Sequence, residues 1–147
     1  MSIKFKLTLL AAIPLLVITA LGVSNTMYNA RVAQEMKAIQ KLSDLAVTLS
    51  VMVHETQKER GRTAGYLGSK GTKFSAELAD QRKLADTRIA EVRGFLDNFD
   101  PTDFDQSFQE SLADALAKLD QIDSKRQAVS NQSIPAGEAI GYYTAMN

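Results

Sequence analysis

Two arginines separated by a single glycine stand in the stretch HETQKERGRTAGY, residues 54–66, and their spacing gives them different environments. A guanidinium is planar, permanently charged and a forked donor, so it matches flat oxyanions through paired hydrogen bonds. On a helical wheel with Leu42 at zero, Leu45, Leu49, Met52, Val53, Thr56 and Leu67 fall between about 280° and 20°. Arg60 falls at about 0°, within that apolar stripe, with Gln57 at about 60° and Glu59 at about 260° on its flanks. Arg62 falls at about 200° and is expected to face solvent. A buried guanidinium needs a partner. For Arg60 the partner is either a carboxylate, such as Glu59 or one on a neighbouring helix, or a small anion held in a cavity. Arg82 repeats the pattern on a second helix. With Leu78 at zero it lies at about 40°, near Ala85 and Ile89, with Gln81 at about 300°. A structural pair with Asp86 one turn on, or with Glu59 across the helical hairpin, is the favoured reading for Arg82.

Other chemistry is scarce. The 147 residues hold no cysteine and one histidine, which excludes disulfides, thiolate catalysis and multi-histidine metal centres. Seventeen basic and seventeen acidic residues balance to zero, against the basic surplus of a general nucleic-acid binder. The Ser, Thr and carboxylate positions show no nucleophile spaced with its base, so no enzyme, cofactor or metal is expected. The loop GSKGTKF, residues 68–74, lacks the GxxxxGK[ST] pattern of a phosphate-binding loop, and its lysines Lys70 and Lys73 read as solvated. His54, at about 120° on the wheel, lies off the stripe. Tyr142 and Tyr143 read as packing groups.

The elements that must carry these residues are helical. Leu7 to Val23 is a run of 17 residues without a charge, preceded by Lys4 and Lys6. It reads as a membrane span with residues 1–6 cytoplasmic and the remainder exported. A cleaved signal peptide ending near Ala20-Leu21-Gly22 is the rival reading. The anchor is preferred because residues 24–42 continue without Pro or Gly, as one helix leaving a membrane would. Pro14, within the run, is tolerated in membrane helices. Four further helical stretches are predicted: about 24–67, from about 75 to the break at 98–102, about 104–129, and from Pro135 onward. Each has one apolar face, so an antiparallel bundle follows. The last stretch runs to Asn147 with its pattern uninterrupted, which reads as the N-terminal part of a longer receptor-like protein.

The block QKERGRTAGYLGS, residues 57–69, resembles the signature of the nitrate- and nitrite-sensing family. The likeness extends through Phe74, Leu78, Gln81-Arg82 and Ala85-Asp86 to the ending GYYTAMN, residues 141–147, and covers roughly residues 40 to 147. The anchor ahead of it is similar to that of bacterial chemoreceptors and membrane histidine kinases. The resemblance implies an all-α sensor, here about half of a larger helical domain, with residues 24–147 periplasmic. It implies that nitrate or nitrite binds between helices through arginines, and that Arg60 takes the place of the family's anion-binding arginine. Arg62 lies within the motif, and Arg82 and Gln57 complete the candidate ligand set, with Glu59 and Asp86 as structural pairing groups. It further implies a homodimer in the bacterial inner membrane that signals to chemotaxis proteins through a cytoplasmic module outside this sequence. The alternative is a membrane-anchored dimerisation module without a small ligand, its seam formed by Leu42, Leu45, Leu49, Met52 and Thr56.

Overall fold

The computed structural model describes Ile3–Met146, and within it the side chains other than those of residues 5–9 and 11. Residues 1–2 of the expected N-terminal segment and Asn147 of the terminal motif lie outside the described residues. The protein is all-α, with no strand among the described residues. The elements are α1 (Ile3–Gly68), α2 (Ser75–Leu96), a 3-10 turn (Pro101–Asp103), α3 (Gln106–Leu119), α4 (Ile122–Ser130) and α5 (Ala136–Met146). The chain divides into two units, Met1–Lys41 and Leu42–Asn147.

In the first unit α1 is uninterrupted through Pro14. One window near its N-terminus has the length and apolar composition to cross a membrane, and none of that window is buried within the chain. Leu15, Leu16, Ile18 and Leu21 are each more than 60% exposed. Apolar side chains in that number do not stay in water without a cover, so these belong against lipid or protein.

In the second unit α1 and α2 form an antiparallel hairpin. Met52 packs with Ile89, Val92, Leu119 and Ile122 in one apolar cluster. Leu78 packs with Val129, Ile134 and Ala139 in another, joined by Tyr66 and Leu67 from the end of α1. Each buried aliphatic side chain stabilises the bundle by roughly 1.5–3 kcal/mol relative to exposure. The hairpin turn is tight. Lys70 and Gly71 both adopt positive φ, and a Cβ on Gly71 would lie 2.2 Å from the Gln132 amide nitrogen. Gln132 in turn donates to the Lys70 carbonyl at 3.3 Å, tying the α1–α2 loop to the α4–α5 loop.

Four phenylalanines close the α2–α3 connection. Phe99 stacks on Phe104 at 5.2 Å, and Phe104 meets Phe108 at 4.9 Å. Asp105 caps α3 by accepting from the Phe108 backbone at 2.8 Å. The predicted helix over 104–129 is in fact two, α3 and α4. At Asp120 and Gln121 the chain makes a helical-handed turn, with Gln121 N–H bonded to Lys118 three residues back rather than four. Leu119 before the turn and Ile122 after it both belong to the same core cluster.

The buried stripe of α1 is not where the apolar residues alone put it. Leu45, Met52, Thr56, Glu59 and Thr63 are the buried side chains, and they centre near about 290° on the wheel. Thr56 can occupy that seam because its hydroxyl bonds back to the Met52 and Val53 carbonyls, at 3.1 and 3.0 Å. The seam proposed for dimerisation is thereby corrected: Leu45, Met52 and Thr56 are covered by the chain's own helices.

Candidate functional site

Between the two apolar clusters lies a polar layer built on one carboxylate. Glu59 is fully buried. It receives Nε and Nη2 of Arg126 at 2.7 and 2.8 Å, a forked pairing from α4. It also accepts from the Tyr143 hydroxyl on α5 at 2.7 Å. Arg126 reaches on with Nη1 to Asp86 of α2 at 2.5 Å and toward Asp123 at 3.5 Å. One charged layer therefore ties α1, α2, α4 and α5 together. Burial opposes the charge on Arg126, but the hydrogen bonds and charges of Glu59, then Asp86, outweigh it and raise its pKa above the ordinary arginine value. Burial, followed by the Glu59 charge, raises the Tyr143 pKa in the same layer, so the phenol keeps its proton and donates it.

Arg82 joins this layer from α2. Its Nη1 donates to the Ser130 hydroxyl at 2.9 Å and its Nη2 to the Arg126 carbonyl at 3.2 Å, so it holds the C-terminal turn of α4. Its Nε lies 3.6 Å from Glu59 Oε1, the pairing expected across the hairpin. Asp86 does not pair with Arg82; its ion partner is Arg126. The Arg82 Nε has no hydrogen-bond partner among the described residues.

Arg60 and Arg62 flank this buried seam on opposite sides, which corrects both wheel placements. Arg60 lies about 70° from the seam centre, and it is half-buried rather than central. Its Nη1 donates to the Thr144 hydroxyl of α5 at 3.2 Å. It forms no carboxylate pair among the described residues. Arg62 lies about 90° to the other side and is also half-buried, where solvent exposure was expected. Its Nη1 donates to Gln81 Oε1 on α2. Gln81 is itself buried and donates to the Glu55 carboxylate at 2.7 Å. Hydrogen bonds from Lys58 and then Gln81 hold the Glu55 pKa below its ordinary value. Gln57 is exposed, apart from both groups, and so are His54, Lys70 and Lys73.

The residue that sequence reasoning missed is Arg126. It sits on α4 at the same helical position, between Ile122 and Val129, that a core residue would take. An arginine between two apolar residues at i−4 and i+3 was the signal available. Tyr143, read as a packing group, is also the donor that completes the Glu59 shell.

The described residues thus form an all-α bundle whose interior charges are paired, with Arg60 and Arg62 on its flanks. Residues 51–147 match the family model described as nitrate and nitrite sensing, NIT, and the chain belongs to that family. It is a sensing family rather than a catalytic one. Among solved structures the chain is similar to the NasR transcription antiterminator, with 26% identity and a TM-score of 0.71 over 84% of this chain. The alignment takes in 34% of that protein, so this chain spans about a third of its length. A search of curated proteins gave no match.

Proposed function

We propose that the chain is the ligand-sensing part of a bacterial transmembrane receptor that binds nitrate or nitrite between helices, with Arg60 as the principal anion contact. The observation that carries the reading is the state of its guanidinium. Arg126 has its N–H groups committed to Glu59 and Asp86, and Arg82 is engaged with α4 and Glu59. Arg60 gives one N–H to a neutral hydroxyl and is half-buried, with no carboxylate pair among the described residues. A planar monovalent oxyanion fits such a fork, and partial burial strengthens the contact over its value in water. Arg62, Arg82 and Gln57 are not brought to the same spot: Arg62 bonds Gln81 on the opposite flank, Arg82 is engaged with α4, and Gln57 is exposed.

The receptor part of the proposal rests on α1. Its apolar start follows Lys4 and Lys6, which orients it with the N-terminus cytoplasmic and the bundle periplasmic. An anion with different affinity for two helix arrangements would bias that helix, and chemotaxis is the favoured output. The same fold in a transcription antiterminator fits a bundle whose output is set by other segments.

Titration calorimetry of the full chain with sodium nitrate and sodium nitrite tests the ligand. A saturable heat that Arg60→Ala removes is the expected result. No heat with either anion, or heats unchanged in Arg60→Ala, overturns the assignment.

A further inference from the structure

We infer that Thr144 on α5 is a second donor to the anion held by Arg60, so that the bound ligand bridges α1 and α5. The inference rests on the proposed role of Arg60 and adds to it a residue and a helix that the arginine motif does not include.

Two consecutive side chains of α5 meet two consecutive side chains of α1. Tyr143 meets Glu59 and Thr144 meets Arg60. The two hydroxyls differ in freedom. The Tyr143 proton is committed to a fully buried carboxylate, whose other contacts are the two nitrogens of Arg126. The Thr144 proton goes to the Ile140 carbonyl one turn back at 2.9 Å. That carbonyl belongs to α5 itself, where the helix ladder already uses it, so the hydroxyl proton can turn outward at little cost. Thr144 is exposed and Arg60 is half-buried, so solvent, and an anion from solvent, reaches the pair. Their contact distance of 3.2 Å puts both groups within reach of one small ligand.

An oxyanion lying on the Arg60 fork therefore has a hydroxyl donor at its side. On binding, the Thr144 O–H rotates from the Ile140 carbonyl to an anion oxygen, while Arg60 turns its remaining N–H groups to the other oxygens. No bond is made or broken beyond hydrogen bonds. Because the donors sit on different helices, affinity depends on the α1–α5 separation, and the ligand favours the arrangement that keeps both in reach.

Calorimetry of the full chain with sodium nitrate, run on Thr144→Val, Thr144→Ser and Arg60→Ala beside the unaltered chain, tests this. Thr144→Val should weaken nitrate binding roughly 10- to 100-fold, the loss of one hydrogen bond to a charged group. Thr144→Ser keeps the hydroxyl and should bind within a few-fold of the unaltered chain. Thr144 is exposed, so thermal melts by circular dichroism should stay close for all three. If Thr144→Val binds as the unaltered chain does while Arg60→Ala does not, the inference is overturned and Arg60 keeps its role. Equal losses in Thr144→Val and Thr144→Ser also overturn it, since the hydroxyl is then not the cause. Absence of nitrate heat in the unaltered chain, or full binding by Arg60→Ala, overturns the underlying role of Arg60, and the inference with it.

Discussion

Arg126 reaches α1 from α4 and Arg60 stands on α1 itself, and the fold treats the two guanidiniums differently. Arg126 comes to a fully buried carboxylate and forks across it. Arg60, next in sequence to that carboxylate, points along the flank of the bundle to a hydroxyl. Charge alone does not separate a structural arginine from one proposed to bind a ligand. What separates them is how many N–H groups the fold has already engaged, and whether the partner is charged. The pair also divides the energetics: removing Arg126 strands a buried charge, whereas removing Arg60 strands nothing.

The largest expected effect follows from that. Arg126→Met leaves Glu59 buried without its forked partner and should destabilise the bundle by about 3–5 kcal/mol. Urea denaturation of the full chain followed by circular dichroism measures it. Adding Glu59→Gln to that variant should recover part of the loss, because the stranded charge is gone. If Arg126→Met unfolds at the same urea concentration as the unaltered chain, the layer is not what holds α4.

Tyr143→Phe comes next. It removes a hydrogen bond to a buried charged acceptor and should cost roughly 1.5–3 kcal/mol in the same measurement. It also changes the alkaline limb. Burial pushes the Tyr142 phenol up to about 12 from an ordinary value of 10.0, and raises Tyr143 as well. Above about pH 10 the unfolded chain gives up these protons while the folded bundle keeps them, so the folded state binds more protons and stability falls as pH rises. Tyr143→Phe should flatten that fall between about pH 10 and 12. An unchanged alkaline limb would show that the phenol is not held in the layer.

Much of this was legible in the sequence, and what was not has a physical cause. The boundaries of α2 and α5 fall at Ser75, before the 98–102 break and just after Pro135, because turn and breaker signals are local. The α1 seam was displaced because Glu59 and Thr63 lie within it and read as polar. Periodicity weighs residues by hydrophobicity, while a threonine that bonds its own helix and a glutamate matched by an arginine are buried as readily as leucine. The partner of Glu59 could not be read, since Arg126 is 67 residues away and only the packing of α4 brings it near. The motif arginines were found and their directions were not, because a shift of the seam by about 70° moves Arg60 from centre to edge.

Asp86→Asn and Arg60→Ala then sharpen the comparison at its weak end. Asp86 is 56% exposed, so its pair with Arg126 is screened and should be worth about 0–1 kcal/mol. Arg60→Ala should change stability by no more than about 0.5 kcal/mol, since its one partner is a neutral, exposed hydroxyl that turns to water instead. Arg60 gives up one hydrogen bond to an exposed hydroxyl when it is removed, and water replaces it on both sides. An effect that small would leave Arg60 without a structural role to explain its place. Should urea denaturation instead show Arg60→Ala to be as damaging as Tyr143→Phe, then Arg60 belongs with Arg126 as a fastening of the bundle, and the division between the two arginines fails.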